Sequence, residues 1–154
     1  MTDQDVGWVR AHSDDEEAWA PPQESPLQQV DIAIHNHYLQ QYLKPGMRVL
    51  EMGAGAGRFT KEIAAITHPI VVADISAEKL ARNKRNAQAL GYARAIEDWH
   101  ECDMTDLKDH FADEAFDAVV CLGGPLSYAF DRREKAINEL YRVTKSGGLL
   151  LLSA

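Results

Sequence analysis

The residues of this chain best suited to chemistry are a carboxylate and three alternating glycines, in Val49-Leu50-Glu51-Met52-Gly53-Ala54-Gly55-Ala56-Gly57-Arg58-Phe59-Thr60. An apolar run ends in Glu51, the glycines follow, and a helical pattern begins, which reads as strand, tight loop and helix. Glycine permits positive φ and, lacking Cβ, lets a ligand approach the backbone closely. The start of the following helix offers unpaired N–H groups and the positive end of its dipole, which suit a carboxylate or phosphate. The stretch is therefore a candidate site for a nucleotide-type cofactor. Two more carboxylates stand in comparable places: Asp74 after the run Ile70-Val71-Val72-Ala73, and Asp103 after a weaker run near Ile96–Cys102.

These residues need elements to position them, and the apolar pattern supplies them in order. Leu27, Val30, Ile34, Tyr38 and Tyr42 recur at helical spacing over Leu27–Leu43, and Lys44-Pro45-Gly46 ends that helix. After the glycine loop, Phe59, Ile63 and Ile66 form the inner face of a helix stopped by His68-Pro69. The β-branched run 70–73 has the composition of a strand buried on both faces of a parallel sheet. A helix from Ser76 to Leu90 follows, with Leu80, Ala87 and Leu90 inward and Gly91 at its C-terminal end. A short strand ends at Asp103, a polar stretch covers Thr105–Ala115, and Phe116–Leu122 reads as another buried strand, broken by Gly123-Gly124-Pro125. Asp131-Arg132-Arg133-Glu134 has capping-box spacing before a helix whose inner face is Ile137, Leu140, Tyr141 and Thr144. Lys145-Ser146-Gly147-Gly148 should end that helix, leaving Leu149–Leu152 as the last strand. Alternating strands and helices predict an α/β fold, a doubly wound, Rossmann-like parallel sheet. In such sheets ligands bind at the C-terminal strand ends, where Glu51, Asp74, Asp103 and Leu122–Gly124 all stand.

The glycine spacing separates two kinds of cofactor. Nicotinamide-type sites use G-x-G-x-x-G, whose third glycine lets helix and strand pack closely. Here the third glycine, Gly57, comes one residue early, Arg58 occupies the fingerprint position, and the acid precedes the loop. Glu51-Met52-Gly53-Ala54-Gly55-Ala56-Gly57 resembles the E/D-x-G-x-G-x-G motif of class I S-adenosylmethionine-dependent methyltransferases. Asp74, Cys102-Asp103-Met104, Phe116-Asp117-Ala118-Val119-Val120 and Arg142–Gly148 resemble that family's later motifs, so the resemblance covers about Leu43 to Ala154.

It implies the strand order 3-2-1-4-5 and S-adenosylmethionine as cofactor. The backbone at Gly53, Ala54, Gly55 and Gly57 would lie along the methionine part, with Glu51 near its ammonium and sulfonium. Asp74 would accept from both ribose hydroxyls, a task for two carboxylate oxygens. Asp103 would accept from the adenine amine, Ile75 and Met104 would pack on the ring, and main-chain carbonyls at Leu122 and Gly123 would meet the cofactor's amino group. His37, Tyr38 and Tyr128 are the positions where a base for the acceptor is expected. The family sheet has seven strands, whereas this chain ends after Leu149–Leu152. The resemblance thus implies a truncated methyltransferase fold, or a sheet completed by a partner, with a homo-oligomer through the last strand as one form.

Composition narrows the partners. The 154 residues carry a net charge of −8, and residues 1–28 hold seven acids against Arg10 alone. That balance, without a basic stripe, argues against nucleic acid, and the loop Leu122-Gly123-Gly124-Pro125-Leu126-Ser127-Tyr128 lacks the N/D-P-P-Y/F sequence of amino-methylating relatives. A small-molecule acceptor is expected. No run approaches a membrane span and no signal peptide pattern is present, so a cytoplasmic protein is expected. Residues 1–26 form an acidic tail or lid bearing Trp8 and Trp19, and 27–154 the cofactor-binding domain. No metal is expected: His35 and His37 lie about 200° apart around a helix, and Cys102 and Cys121 read as small buried hydrophobes. Two rival readings remain, a non-catalytic cofactor-binding module and a nicotinamide-dependent oxidoreductase.

Overall fold

The computed structural model describes residues 25–153. Most of the expected tail or lid therefore lies outside the described residues, including Trp8 and Trp19. Five strands, β1 (Val49–Met52), β2 (Ile70–Asp74), β3 (Ile96–Glu101), β4 (Phe116–Cys121) and β5 (Thr144–Leu152), form one sheet of order β3-β2-β1-β4-β5. Every pairing is parallel, as the alternation of strands and helices predicts. Helices α1 (Pro26–Tyr42), α2 (Thr60–Ala64), α3 (Ala77–Ala89) and α4 (Arg133–Val143) complete the chain with two 3₁₀ segments, Ala93–Ala95 and Pro125–Arg132.

Alternation along the central strands divides the core in two. Leu50, Met52, Val71, Ala73, Val119 and Cys121 face Leu107, Phe111, Leu140 and Val143. Val49, Ile70, Val72, Ala118 and Val120 face Leu39, Leu43, Phe59, Ile63, Leu80 and Ala87. β1 and β2 are buried at every residue. Each fully buried Leu or Ile contributes on the order of 1.5–3 kcal/mol, so these central strands hold the C-terminal sheet edge in a fixed place. Burial also pushes the Cys102 and Cys121 thiols up to about 12, which keeps them protonated as the hydrophobes they were expected to be.

Several local expectations are corrected. α1 starts from a capping box: the Ser25 hydroxyl accepts from the Gln28 N–H, and the Gln28 side chain accepts from the Ser25 N–H. Its predicted stripe (Leu27, Val30, Ile34, Tyr38, Tyr42) points outward, 41–83% exposed, while Leu39 and Leu43 are buried. The buried stripe is displaced by one residue, about 100° of rotation, and Leu39 and Leu43 join the core that holds Val49, Phe59 and Ile63. Leu90 is likewise exposed beyond the last turn of α3. Asp131 does not cap α4; Arg132 is its N-cap, without a side-chain bond, because the chain is still in the 3₁₀ segment, which kinks at Phe130. α4 buries Ala136, Glu139, Leu140 and Val143 rather than Ile137 and Tyr141. β5 begins at Thr144, five residues before the apolar run, because Lys145 reaches Asp117 of β4 across the strand pair at 2.7 Å.

Candidate cofactor site

Glu51 is the third residue of β1, between Val72 of β2 and Val120 of β4, and is 2% exposed. The glycine loop then turns back over β2: the Gly53 and Ala54 N–H groups donate to Ala73 O at 2.8 and 3.1 Å. Gly53 (φ +74°) lies so close to the loop after β4 that a Cβ there would sit 2.4 Å from Pro125 Cβ. Gly57 (φ +100°) closes the turn, its N–H donating to Ala54 O.

Asp74, at the end of β2, joins this loop. Its Oδ2 accepts from the Gly55 N–H at 2.7 Å and its Oδ1 from the Ser76 N–H at 2.9 Å. The main chain leads on to the next carboxylate, since Asp74 O accepts from the Cys102 N–H at 3.0 Å. Asp103 Oδ1 accepts from the Thr105 N–H at 2.8 Å, and its Oδ2 is paired with the Arg132 guanidinium, which also donates to Thr105 Oγ1. At the end of β4, the Gly123 N–H donates to Ser153 Oγ at 2.8 Å. Ile75 is half-buried beside Asp74, and half-buried Met104 packs against the Leu107 and Phe111 side of the core. The predicted residues Glu51, Gly53, Ala54, Gly55, Gly57, Asp74, Ile75, Asp103, Met104, Leu122 and Gly123 thus lie along one sheet edge.

Burial pushes the Glu51 carboxyl up to about 8, against a hydrogen bond from the Thr60 hydroxyl that lowers it, with Asp74 adding to the rise. Among the described residues only Thr60 donates to this carboxyl, at Oε2, leaving Oε1 without a hydrogen bond. A buried carboxyl with one unused oxygen, beside a loop whose Gly53 leaves no room for a Cβ, fits a ligand that brings cationic groups to the backbone.

The three positions expected to hold a base are not drawn into the site. His37, Tyr38 and Tyr128 are exposed, because α1 turns a different face inward and Tyr128 lies on the outer side of the 3₁₀ segment. The inward imidazole is His35, its side chain 13% exposed and its ring 5.1 Å from that of Phe59. Phe59 Cε2 in turn would lie 3.3 Å from a Cβ on Gly123, so His35 reaches the strand-end edge through Phe59. His35 Nδ1 donates to Asp31 O at 2.8 Å, with Asp31 Oδ1 3.4 Å away, which leaves Nε2 as the acceptor nitrogen. Asn36 lies on the same inward face, its Oδ1 buried and without a partner. The spacing of 32, 35, 36, 39 and 43 carried this face, but the larger aromatic stripe beside it masked the signal. Arg132 was missed because nothing local marks a residue whose partner lies 29 positions away.

Comparison with known proteins agrees with this geometry. A family profile described as "Methyltransferase domain" matches residues 49–148. The chain is 34% identical over 121 residues to the sterol 24-C-methyltransferase erg6 of Aspergillus fumigatus, covering 77% of this chain and 31% of that protein. It is 33% identical over 113 residues to the ubiquinone/menaquinone biosynthesis C-methyltransferase UbiE of Haemophilus ducreyi, covering 71% and 42%. Among solved structures, the [4+2]-cyclase SpnF is similar at 25% identity and a TM-score of 0.72, over 86% of this chain and 47% of that one. The chain therefore spans less than half the length of these proteins. It belongs to the methyltransferase-domain family, as a class I member.

Proposed function

We propose that this chain holds S-adenosylmethionine along the edge formed by Glu51, Asp74 and Asp103 and directs its methyl group to a small-molecule acceptor. The convergence of these carboxylates around the Gly53–Gly57 loop is the observation that supports it. In this reading the backbone of Gly53, Ala54, Gly55 and Gly57 lines the methionine part and Glu51 faces its cationic groups. Asp74 takes the ribose hydroxyls and Asp103 the adenine amine, with Ile75 and Met104 against the ring and the Leu122 and Gly123 carbonyls toward the amino group.

When bound, the cofactor supplies an electrophilic methyl on a sulfonium. The protein's task is alignment of the acceptor, an effect that supplies several kcal/mol. His35 is better placed than His37, Tyr38 or Tyr128 to take a proton from the acceptor, since Asp31 fixes its Nδ1–H and leaves Nε2 to accept. Relatives named for sterol and for ubiquinone or menaquinone methylation favour an acceptor with an apolar body. Pairing of β5 with a second copy belongs to the same reading, and sedimentation at micromolar concentration tests it: a monomer removes it.

Calorimetry with S-adenosylhomocysteine tests the core of the proposal, since absence of binding by folded protein removes it. Transfer of label from methyl-labelled cofactor to an acceptor panel tests the activity. The similarity to a protein named a cyclase supports a second reading, in which the cofactor binds and another reaction follows. Acceptor conversion without label transfer would favour that one.

A further inference from the structure

The buried side chains behind Glu51 form a chain of hydrogen bonds with one direction. Indole Nε1–H is only a donor, so Trp99 of β3 must donate to Asn83 Oδ1 of α3, at 3.3 Å. That contact fixes the Asn83 amide, turning its Nδ2 to Thr60 Oγ1 of α2 at 2.9 Å and to Gly55 O at 3.4 Å. Thr60 Oγ1 accepts from Asn83, so its own proton goes to Glu51 Oε2, at 2.6 Å. Each link from Trp99 through Asn83 to Thr60 donates toward the carboxyl. Thr60 and Asn83 are fully buried, and nothing about a sheet-and-helix core requires polar side chains there. Successive bonds in such a chain polarise one another.

We propose that Thr60, Asn83 and Trp99 are positioning residues for cofactor capture, holding the buried Glu51 through Oε2 so that Oε1 meets a cationic ligand, and that capture is coupled to release of a proton from this carboxyl. The ligand's chemistry rests on the methyltransferase reading; the chain of donors does not. The groups facing Glu51 are two valines, a carboxylate, a phenol and the Cys121 thiol, itself pushed up to about 12 by burial. Val72 and Val120 flank it on β2 and β4. Asp74, at the end of β2, raises the carboxyl further, and Tyr92, after α3, is itself pushed up to about 12 by burial and by Glu51. With the carboxyl near 8, the free protein is mostly protonated there at pH 7. A cation beside Oε1 reverses the balance, the Thr60 hydroxyl stabilises the resulting charge, and the proton leaves to solvent.

The test is titration of the full chain with S-adenosylhomocysteine in buffers of different ionisation enthalpy. The expected result is release of close to one proton at pH 7, with affinity rising about tenfold per pH unit below pH 8 and levelling above it. Thr60→Val should weaken binding at pH 7 and move the levelling point upward, so that the deficit shrinks by pH 9; Thr60→Ser should restore both. Trp99→Phe, at the far end and only half-buried, should move the same curve less, and it serves if Thr60→Val does not fold. Binding without proton release, or a deficit equal at every pH, overturns the proposal. No binding by the wild-type chain at any pH overturns the methyltransferase reading instead.

Discussion

Glu51 places a carboxyl where the protein's own stability opposes it. Its folded value of about 8 stands above the ordinary 4.5, so between those values the folded protein holds a proton that the unfolded chain has lost. Stability from this group is therefore full below pH 4.5 and declines as pH rises through 8. Glu51→Gln removes the decline: urea midpoints at pH 5 and pH 8 should fall less in the variant, by a difference on the order of 2–4 kcal/mol. The same variant should bind S-adenosylhomocysteine more weakly above pH 8, since it cannot become negative. Glu139 shows the opposite sign. Arg142, reinforced by the Leu107 N–H at 2.9 Å, holds its carboxyl below the usual range, so its contribution disappears only as pH falls into the acid region. Glu139→Ala leaves the buried Leu107 N–H without its acceptor and should cost about 1–3 kcal/mol at pH 7 by chemical denaturation.

At the scale of elements, the glycine loop is in close contact with the loop after β4. Gly53→Ala places a methyl group 2.4 Å from Pro125 Cβ at φ +74°. It should cost about 2–4 kcal/mol in urea unfolding and displace the loop. Gly91→Ala is the internal comparison, equally positive in φ at +82° but facing open space; it should cost about 1 kcal/mol. The parallel sheet and the three strand-end acids were legible in the sequence because each rests on a local pattern: an apolar run, a breaker and an acid; the strand order came only with the family resemblance. Helix faces were not legible. On α1 the exposed aromatic and aliphatic stripe is stronger than the buried one, so the periodicity set His37, not His35, beside the expected inner face. On α4 the acid at 139 is buried because Arg142 pairs with it at 2.9 Å, a tertiary compensation that hydrophobicity does not report. Asp131 carries the spacing of a cap, but the preceding 3₁₀ segment delays the helix and leaves that role to Arg132.

For the whole molecule, the proposed cofactor site, which joins β1, β2, β3 and the segment after β4, makes ligand binding and global stability one measurement. A ligand that binds only the folded state stabilises it by RT ln(1 + [L]/Kd), about 2.7 kcal/mol at a hundredfold excess over Kd. A chain of 154 residues shifts its melting point by roughly 2–4 °C per kcal/mol. S-adenosylhomocysteine at that excess should therefore raise the midpoint by about 5–10 °C. Asp74→Ala provides the control that separates site from scaffold. Asp74 accepts from the Gly55 and Ser76 N–H groups, so the variant should melt lower even without ligand. The informative quantity is the ligand-induced increment, which should disappear in Asp74→Ala and persist in Gly91→Ala, whose added methyl group meets open space. A full increment in Asp74→Ala would mean that the ligand does not sit on the edge where β1, β2 and β3 end.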